Sequence, residues 1–289
     1  MIKERMDNKI KKVAAINDIS CLGGASLTQI IPILSSMGIK TYPVPTVILS
    51  THSGGYEGYT YEDLTDHMVR QGIHWQKLEV KFDAIYSGFL GSSDQIVIVE
   101  DFIRHFKKED SIVLVDPVMG DDGEVYSSID QEIISEMRKL VSHADIVTPN
   151  LTEAFLLADI PYDPRPDKKT KELLLEKILD LGAKSIVITS FPAESKGISN
   201  LIYEENTIEI VGGKRAISDF PGTGDIFASV LLGARLNGHN LKKSSKIASD
   251  FVLDCIDFSK DEEYSHRSGV LLEARLHKLY KYNNFYKDI

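Results

Sequence analysis

Short β-prone runs and amphipathic helical stretches take turns along this chain, and that alternation limits the fold more than any other feature. "KVAAIN" (12–17), "KTYPVPTVIL" (40–49), "FDAIYSG" (82–88), "SIVLVD" (111–116), "ADIVTPN" (144–150) and "KSIVIT" (184–189) read as strands. Between them, 24–38, 61–72, 93–108, 130–142 and 168–182 carry helical spacing of apolar residues. Strands that alternate with helices of this length predict a doubly wound α/β fold. Its central sheet is mostly parallel, with helices on both faces. The prolines of 40–49 place that strand at an edge or entry position. The pattern changes once, at "KGISNLIYEENTIEIVGGKR" (196–215), where two adjacent β-runs joined by "EENT" predict an antiparallel hairpin. Helices are then expected over 225–238, 242–256 and 269–283. No internal repeat or linker interrupts the 289 residues, so 1–289 is read as one domain.

Composition narrows the functional classes. A net charge of −10 argues against a nucleic-acid binder, which needs a basic face. It leaves room for an anionic ligand bound by backbone N–H groups. Cys21 and Cys255 make no disulfide framework and have no metal-ligand spacing, which predicts a reduced, cytoplasmic protein. No stretch approaches the roughly 18 apolar residues of a membrane span.

Sheets of this kind bind ligands at the carboxyl ends of their strands. There the sequence places "NDISCLGG", "STHSGG", "SGFLGSS", "DPVMGDDG", "TPNLTE", "TSF" and "PGTGD", all rich in small, hydroxyl and acidic residues. "PGTGDIFA" puts free N–H groups and the helix dipole where an anion could approach two glycines closely. Its bland alternative is a glycine turn with Asp225 capping a helix. Phe227 stands where a dinucleotide fingerprint needs its third glycine, and "GGKRA" lacks the spacing of a Walker A loop. Asp116, Asp121 and Asp122 follow a buried-type strand and offer hard oxygen ligands for Mg²⁺, or else form a solvated acidic loop. Asn150 and Glu153 could serve the same site or form a capping box. His52 sits in a glycine-flanked loop, where a lone histidine is more often structural.

Taken in order, "DPVMGD", "TPNLTE", "ITS" and "PGTGD" resemble the ribokinase-like superfamily. With "TVILSTHSGG" and "SGFLGS", the pattern looks like the pyridoxal (pyridoxine, pyridoxamine) kinases, over about residues 12–258. The resemblance implies ATP-dependent phosphorylation of the 5′-hydroxymethyl group of a pyridoxal-type vitamer. It implies Asp225 as the base, and Gly222, Thr223 and Gly224 as an anion hole. Asp116, Asp121, Asn150 and Glu153 would arrange Mg²⁺ and a monovalent cation (K⁺ or Na⁺), with Asp116, Asp121 and Glu153 as the metal set. Tyr126, Thr148, Thr189 and Ser190 would join Asp116, Asn150 and Glu153 around ATP. Asp18, Thr46, His52 and Phe89 would line the ring pocket, and a homodimer is expected. Many pyridoxal kinases carry serine where this chain has Asp18 and tyrosine where it has Phe89, so the ring pocket departs from the pattern.

Two other readings stay open. A hydroxymethylpyrimidine (phosphate) kinase would use a similar ring and handle. A protein that only holds pyridoxal phosphate or nucleotide would have no use for a base at Asp225. A sugar or nucleoside kinase ranks lower, because only "DISCLGG" separates the first strand from the first helix, leaving no room for a lid sheet.

Overall fold

Val13, Ala14, Ala15 and Ile16 are all fully buried, yet they feed two different cores: Ala14 and Ile16 face one, Val13 and Ala15 the other. Successive strand residues point to opposite faces, so a strand apolar at every position must be covered on both sides. The structure, a computed structural model, describes residues 10–192, 198–212, 220–260, 262 and 265–284. The outer ends of the expected hairpin and Asp219 lie outside the described residues.

A nine-stranded sheet runs through the molecule. Its strands are β1 (Lys12–Ser20), β2 (Lys40–Leu49), β3 (Tyr61–Asp63), β4 (Phe82–Ser87), β5 (Lys107–Val115), β8 (Ile146–Val147), β9 (Ser185–Pro192), β10 (Ile198–Glu204) and β11 (Thr207–Gly212). The spatial order is β11-β10-β9-β8-β5-β4-β1-β2-β3, with β6 (Gly120–Asp121) and β7 (Glu124–Val125) forming a separate small hairpin. Pairing is parallel from β9 through β8, β5, β4 and β1 to β2, and antiparallel at β3, β10 and β11. The doubly wound expectation therefore holds.

Helices α2 (Thr65–Lys77), α3 (Ser93–Phe106), α4 (Gln131–Val141), α5 (Leu151–Ala158) and α6 (Lys168–Asp180) cover one face. The other carries α1 (Leu27–Ser36), α7 (Thr223–Leu236) and α8 (Leu241–Ser259). Residues Ile226–Ala234 of α7 are buried without a break, so this helix has no solvent face along that stretch. Such a helix is held by packing on all sides, which fixes its first turn against the sheet.

Three local expectations differ from the fold. Tyr61–Asp63 is an edge strand paired with Val47–Leu49, and the helix begins at Thr65 and runs on to Lys77. The Asp63 side chain accepts the Thr65 N–H (2.8 Å), a local turn bond that competes with helix at that point. The stretch 269–283 is not an α-helix; it turns through Leu272 and Arg275 and closes as a 3₁₀ helix, Leu276–Tyr282, packed on α1. Arg275 and Lys278 both bind Asp254 (2.8 and 2.6 Å), pinning the segment to α8 and setting its path. The strand expected over 144–150 shortens to Ile146–Val147, with one further bridge from Asn150 to Thr189. The hairpin turn is as read: Glu205 and Asn206 both have positive φ (49° and 62°), the two-residue geometry that suits strand twist.

The chain leaves β1 for β2 on one side and later for β4 on the other, so β1 marks the point where strand order reverses. Crevices form at the carboxyl ends of strands at such a point.

Candidate active site

Asp225 stands in the first turn of α7, behind Gly222, the N-cap residue in left-handed conformation (φ 79°). Both of its carboxylate oxygens are held. Asn17 Nδ2 donates to one (3.1 Å) and the Ser26 N–H to the other (2.9 Å). Asn17 is itself clamped, because its Oδ1 accepts the N–H groups of Asp18 and Phe89 (2.9 Å each). A side chain at Gly88 would collide with Asn17, its Cβ lying 2.3 Å from Nδ2. One asparagine thus ties the ends of β1 and β4 to the start of α7. Ser26 adopts φ 57°, ψ −139°, a conformation rare outside glycine. That geometry aims its N–H at Asp225.

Burial pushes Asp225 up to about 7, and the Asp18 carboxylate adds to this; the bonds from Ser26 and Asn17 oppose it. A carboxyl poised near neutral pH suits general-base work. The first-turn N–H groups of α7 have no intrahelical partner, and the helix dipole places partial positive charge beside them. Thr223 Oγ1 donates to the Phe220 carbonyl (3.2 Å). Gly224 is exposed, with open space where a Cβ would sit.

The acidic loops converge beside this helix start. Asp116 follows β5, is buried, and accepts from Thr148 Oγ1 (3.0 Å). Burial and the charge of Asp225 raise it to about 7. Asn150 and Glu153 form a complete capping box on α5, and they also pin the preceding loop. Asn150 Nδ2 donates to the Gly120 carbonyl (2.7 Å), and the Met119 N–H to Glu153 Oε1 (3.1 Å). Burial, then the Asp116 charge, raises Glu153 well above the carboxylate range. Asp121 is exposed on β6, and burial beside Glu153 and Asp121 raises the Tyr126 phenol. Thr189 bonds through its N–H to the Pro149 carbonyl (2.8 Å), while Ser190 is exposed with φ 54°.

Among the described residues, no three His, Cys, Asp or Glu side chains form a closed metal cluster. Asp116 and Glu153 instead share a buried, negatively charged neighbourhood that raises the protonation of both, with Asp121 on the adjoining β6. Hard oxygen donors held this way suit Mg²⁺, which binds with few carboxylates, substrate phosphates and waters rather than in an all-protein cage.

At the other end of the crevice, Asp18, Thr46, His52 and Phe89 come together. Pairing of β1 with β2 slips between Asn17 and Ile19, so Thr46 and Val47 lie opposite Asp18 alone. Such a bulge re-aims side chains at strand ends. Asp18 is buried, accepts from Ser20 Oγ (2.8 Å) and Ser26 Oγ, and is raised by burial. Thr46 Oγ1 donates to the Phe89 carbonyl (3.0 Å). His52 is buried with Nε2 against the Arg267 carbonyl (2.6 Å). A carbonyl can only accept, so Nε2 carries the proton. The tail also reaches the glycine loop, Gly24 N–H donating to the Ser268 carbonyl (2.9 Å), and His266 stacks on Phe220 at 4.4 Å.

Sequence reasoning found the acids and glycines but missed Asn17, Ser26, Gln95 and the tail. Gln95, fully buried at the start of α3, bonds to Thr46 O, Asp63 Oδ2, Thr65 Oγ1 and the Gly91 N–H. A glutamine after "GSSD" gives no signal of such a hub.

The Asp225 burial carries a stability prediction. A carboxyl near 3.8 when unfolded and near 7 when folded favours the folded state only while protonated. Its destabilising contribution therefore grows as pH rises from about 4 to about 7, to at most ~4 kcal/mol, and then levels off. Asp225→Asn removes that titration. In metal-free protein, the melting temperature of the variant minus that of wild type is expected to rise by several degrees between pH 4.5 and pH 7.5. A pH-independent difference in thermal scans would remove Asp225 as the titrating group.

A doubly wound sheet whose strand ends meet a glycine-capped, carboxyl-bearing helix start is the arrangement of a small-molecule kinase. The chain belongs to the phosphomethylpyrimidine kinase family, whose model matches residues 21–270. It is similar to a Bacteroides thetaiotaomicron VPI-5482 protein provisionally named a phosphomethylpyrimidine kinase. That structure is 43% identical with a TM-score of 0.91, covering 94% of both chains, and a second crystal form of it contains pyridoxal. The pyridoxal kinase of Lactobacillus plantarum is 28% identical, with a TM-score of 0.87 over 94% of this chain and 97% of that one. A provisionally named pyridoxal kinase of Schizosaccharomyces pombe is 34% identical over 65% of this chain and 57% of that protein. The ribokinase-like expectation is borne out at the level of fold and family. No described helix is long and apolar enough to cross a membrane.

Proposed function

We propose that this chain transfers the γ-phosphoryl group of ATP to the 5′-hydroxymethyl group of a pyridoxal-type vitamer. The observation that carries the reading is Asp225, held through both oxygens at the unpaired N–H groups of α7. In the step, the hydroxymethyl oxygen forms a bond to the γ-phosphorus as the bond from that phosphorus to the β–γ bridging oxygen breaks. The hydroxyl proton passes to Asp225, and ADP leaves with the bridging electron pair. The N–H groups of Gly222, Thr223 and Gly224 receive the negative charge of the transferring group, which needs positioning and electrostatic stabilisation above all. Asp116, Asp121 and Glu153 would hold Mg²⁺, with Asn150 beside them and a monovalent cation near the nucleotide. When bound, these ions offset the repulsion between phosphates and carboxylates.

Thr148, Tyr126, Thr189 and Ser190 border the nucleotide side, and Asp18, Thr46, His52 and Phe89 the ring side. The bland reading of the capping box remains true as well, because Asn150 and Glu153 build the loop they would use. Pyridoxal in the second crystal form of the Bacteroides protein supports the B6 reading. The family's name keeps a hydroxymethylpyrimidine phosphate substrate as the second reading.

Release of ADP measured with pyridoxal, pyridoxamine, pyridoxine, hydroxymethylpyrimidine and hydroxymethylpyrimidine phosphate side by side decides between them. At least tenfold higher kcat/KM on a B6 vitamer is expected. Preference for the pyrimidine reverses the assignment, and turnover of none leaves a binding protein. The homodimer and cytoplasmic location belong to the same reading; light scattering tests the former and fractionation the latter.

A further inference from the structure

Gln29, in the first turn of α1, is 2% exposed, and neither Nε2 nor Oε1 has a hydrogen-bond partner among the described residues. A buried primary amide left this way is costly, and an apolar side chain of the same size would pack without that cost. Its place in the site gives the polar group a use. A Cβ at Gly24 would lie 2.7 Å from Gln29 Nε2, and a Cβ at Gly222 would lie 2.7 Å from Oε1. The carboxamide therefore fills the seam between the glycine loop that follows β1 and the N-cap of α7. The same seam is crossed two residues from Gly24 by the bond from the Ser26 N–H to Asp225. Turning the amide end for end exchanges donor and acceptor but keeps one face on each glycine.

We propose that Gln29 is a positioning residue for phosphoryl transfer. It sets the distance between the Gly24 loop and the Gly222 end of α7, and so the placement of the first-turn N–H groups against Asp225. The inference rests on the kinase reading above and adds a group that does not itself touch the reacting atoms. An apolar replacement packs equally well but leaves the two backbones to settle at their own spacing.

The test compares Gln29→Leu and Gln29→Asn with wild type for kcat, KM and melting temperature, using pyridoxal and ATP with Mg²⁺. Leucine removes the unpaired amide and keeps the volume, whereas asparagine keeps an amide and leaves a gap. Stability is expected to rank leucine at or above glutamine, with asparagine below both. Turnover is expected to rank glutamine, then asparagine, then leucine. A loss in kcat of about 10- to 100-fold is expected for leucine, the scale of a small misplacement at the reacting centre. KM for pyridoxal should stay within about threefold, because the ring pocket is untouched. Leucine turnover within twofold of wild type, or turnover that follows the stability order, overturns the role of Gln29 alone. A wild-type protein that phosphorylates none of the vitamers overturns both this inference and the kinase reading.

Discussion

Asp225→Asn is expected to lower kcat by roughly 10²- to 10⁴-fold, the usual contribution of a positioned general base. KM for ATP should change by no more than about threefold, because the N–H groups that would face the phosphates belong to the backbone. Asparagine is nearly isosteric and keeps one acceptor for the Ser26 N–H or Asn17 Nδ2. It cannot take a proton from the attacking hydroxyl. Wild-type kcat/KM should rise with pH on an acidic limb near or below 7, since the base must be ionised and burial holds it at about 7 in the free protein. Bound cations pull that limb lower, and the asparagine variant should lose it. Steady-state kinetics between pH 5.5 and 8.5 check both points. An asparagine variant with near-normal turnover would show that another group accepts the proton.

The parts of this site legible in the sequence are those whose chemistry is local. Gly222, Thr223, Gly224 and Asp225 lie together on one turn, and the capping geometry of Asn150 and Glu153 follows from three-residue spacing. What the sequence hides is whatever crosses the fold. The bonds from Asn17 and Ser26 to Asp225 join residues 208 and 199 positions apart, and neither donor carries a signature. The tail illustrates the same limit. Its apolar spacing between 269 and 283 reads as a helix, but docking onto α1 and the pairs to Asp254 decide its path. Tyr61–Asp63 fails for a related reason, because an edge strand of three residues depends on its neighbour β2 rather than on its own pattern. Alternation of apolar runs, by contrast, determines layer and sheet class, since each run must bury its own side chains wherever the others go.

Gly222→Ala is the second substitution expected to be severe, and it reaches the site through the backbone alone. Gly222 has φ 79°, and an added Cβ would lie 2.3 Å from the Gly24 carbonyl oxygen and 3.2 Å from the Ala25 Cα. The left-handed conformation alone costs a non-glycine residue about 1–2 kcal/mol. The overlap is with main chain, which cannot swing aside as a side chain can, so the Gly24 loop and the start of α7 must separate. A shift approaching 1 Å at a reacting centre is worth about 10²-fold in rate, and turnover should fall by at least that much. Gly224→Ala is the informative partner: it has no positive φ and nothing within 4 Å of the new Cβ, so the fold should accept it with an unchanged or slightly raised melting temperature. Its methyl group would instead project into the space beside the first-turn N–H groups. If the phosphates of ATP pack there, KM for ATP should rise at least tenfold while stability holds. A Gly224→Ala protein with unaltered kinetics would move the anion away from this helix start, even if Gly222→Ala were inactive, because strain at Gly222 would then account for the loss by itself.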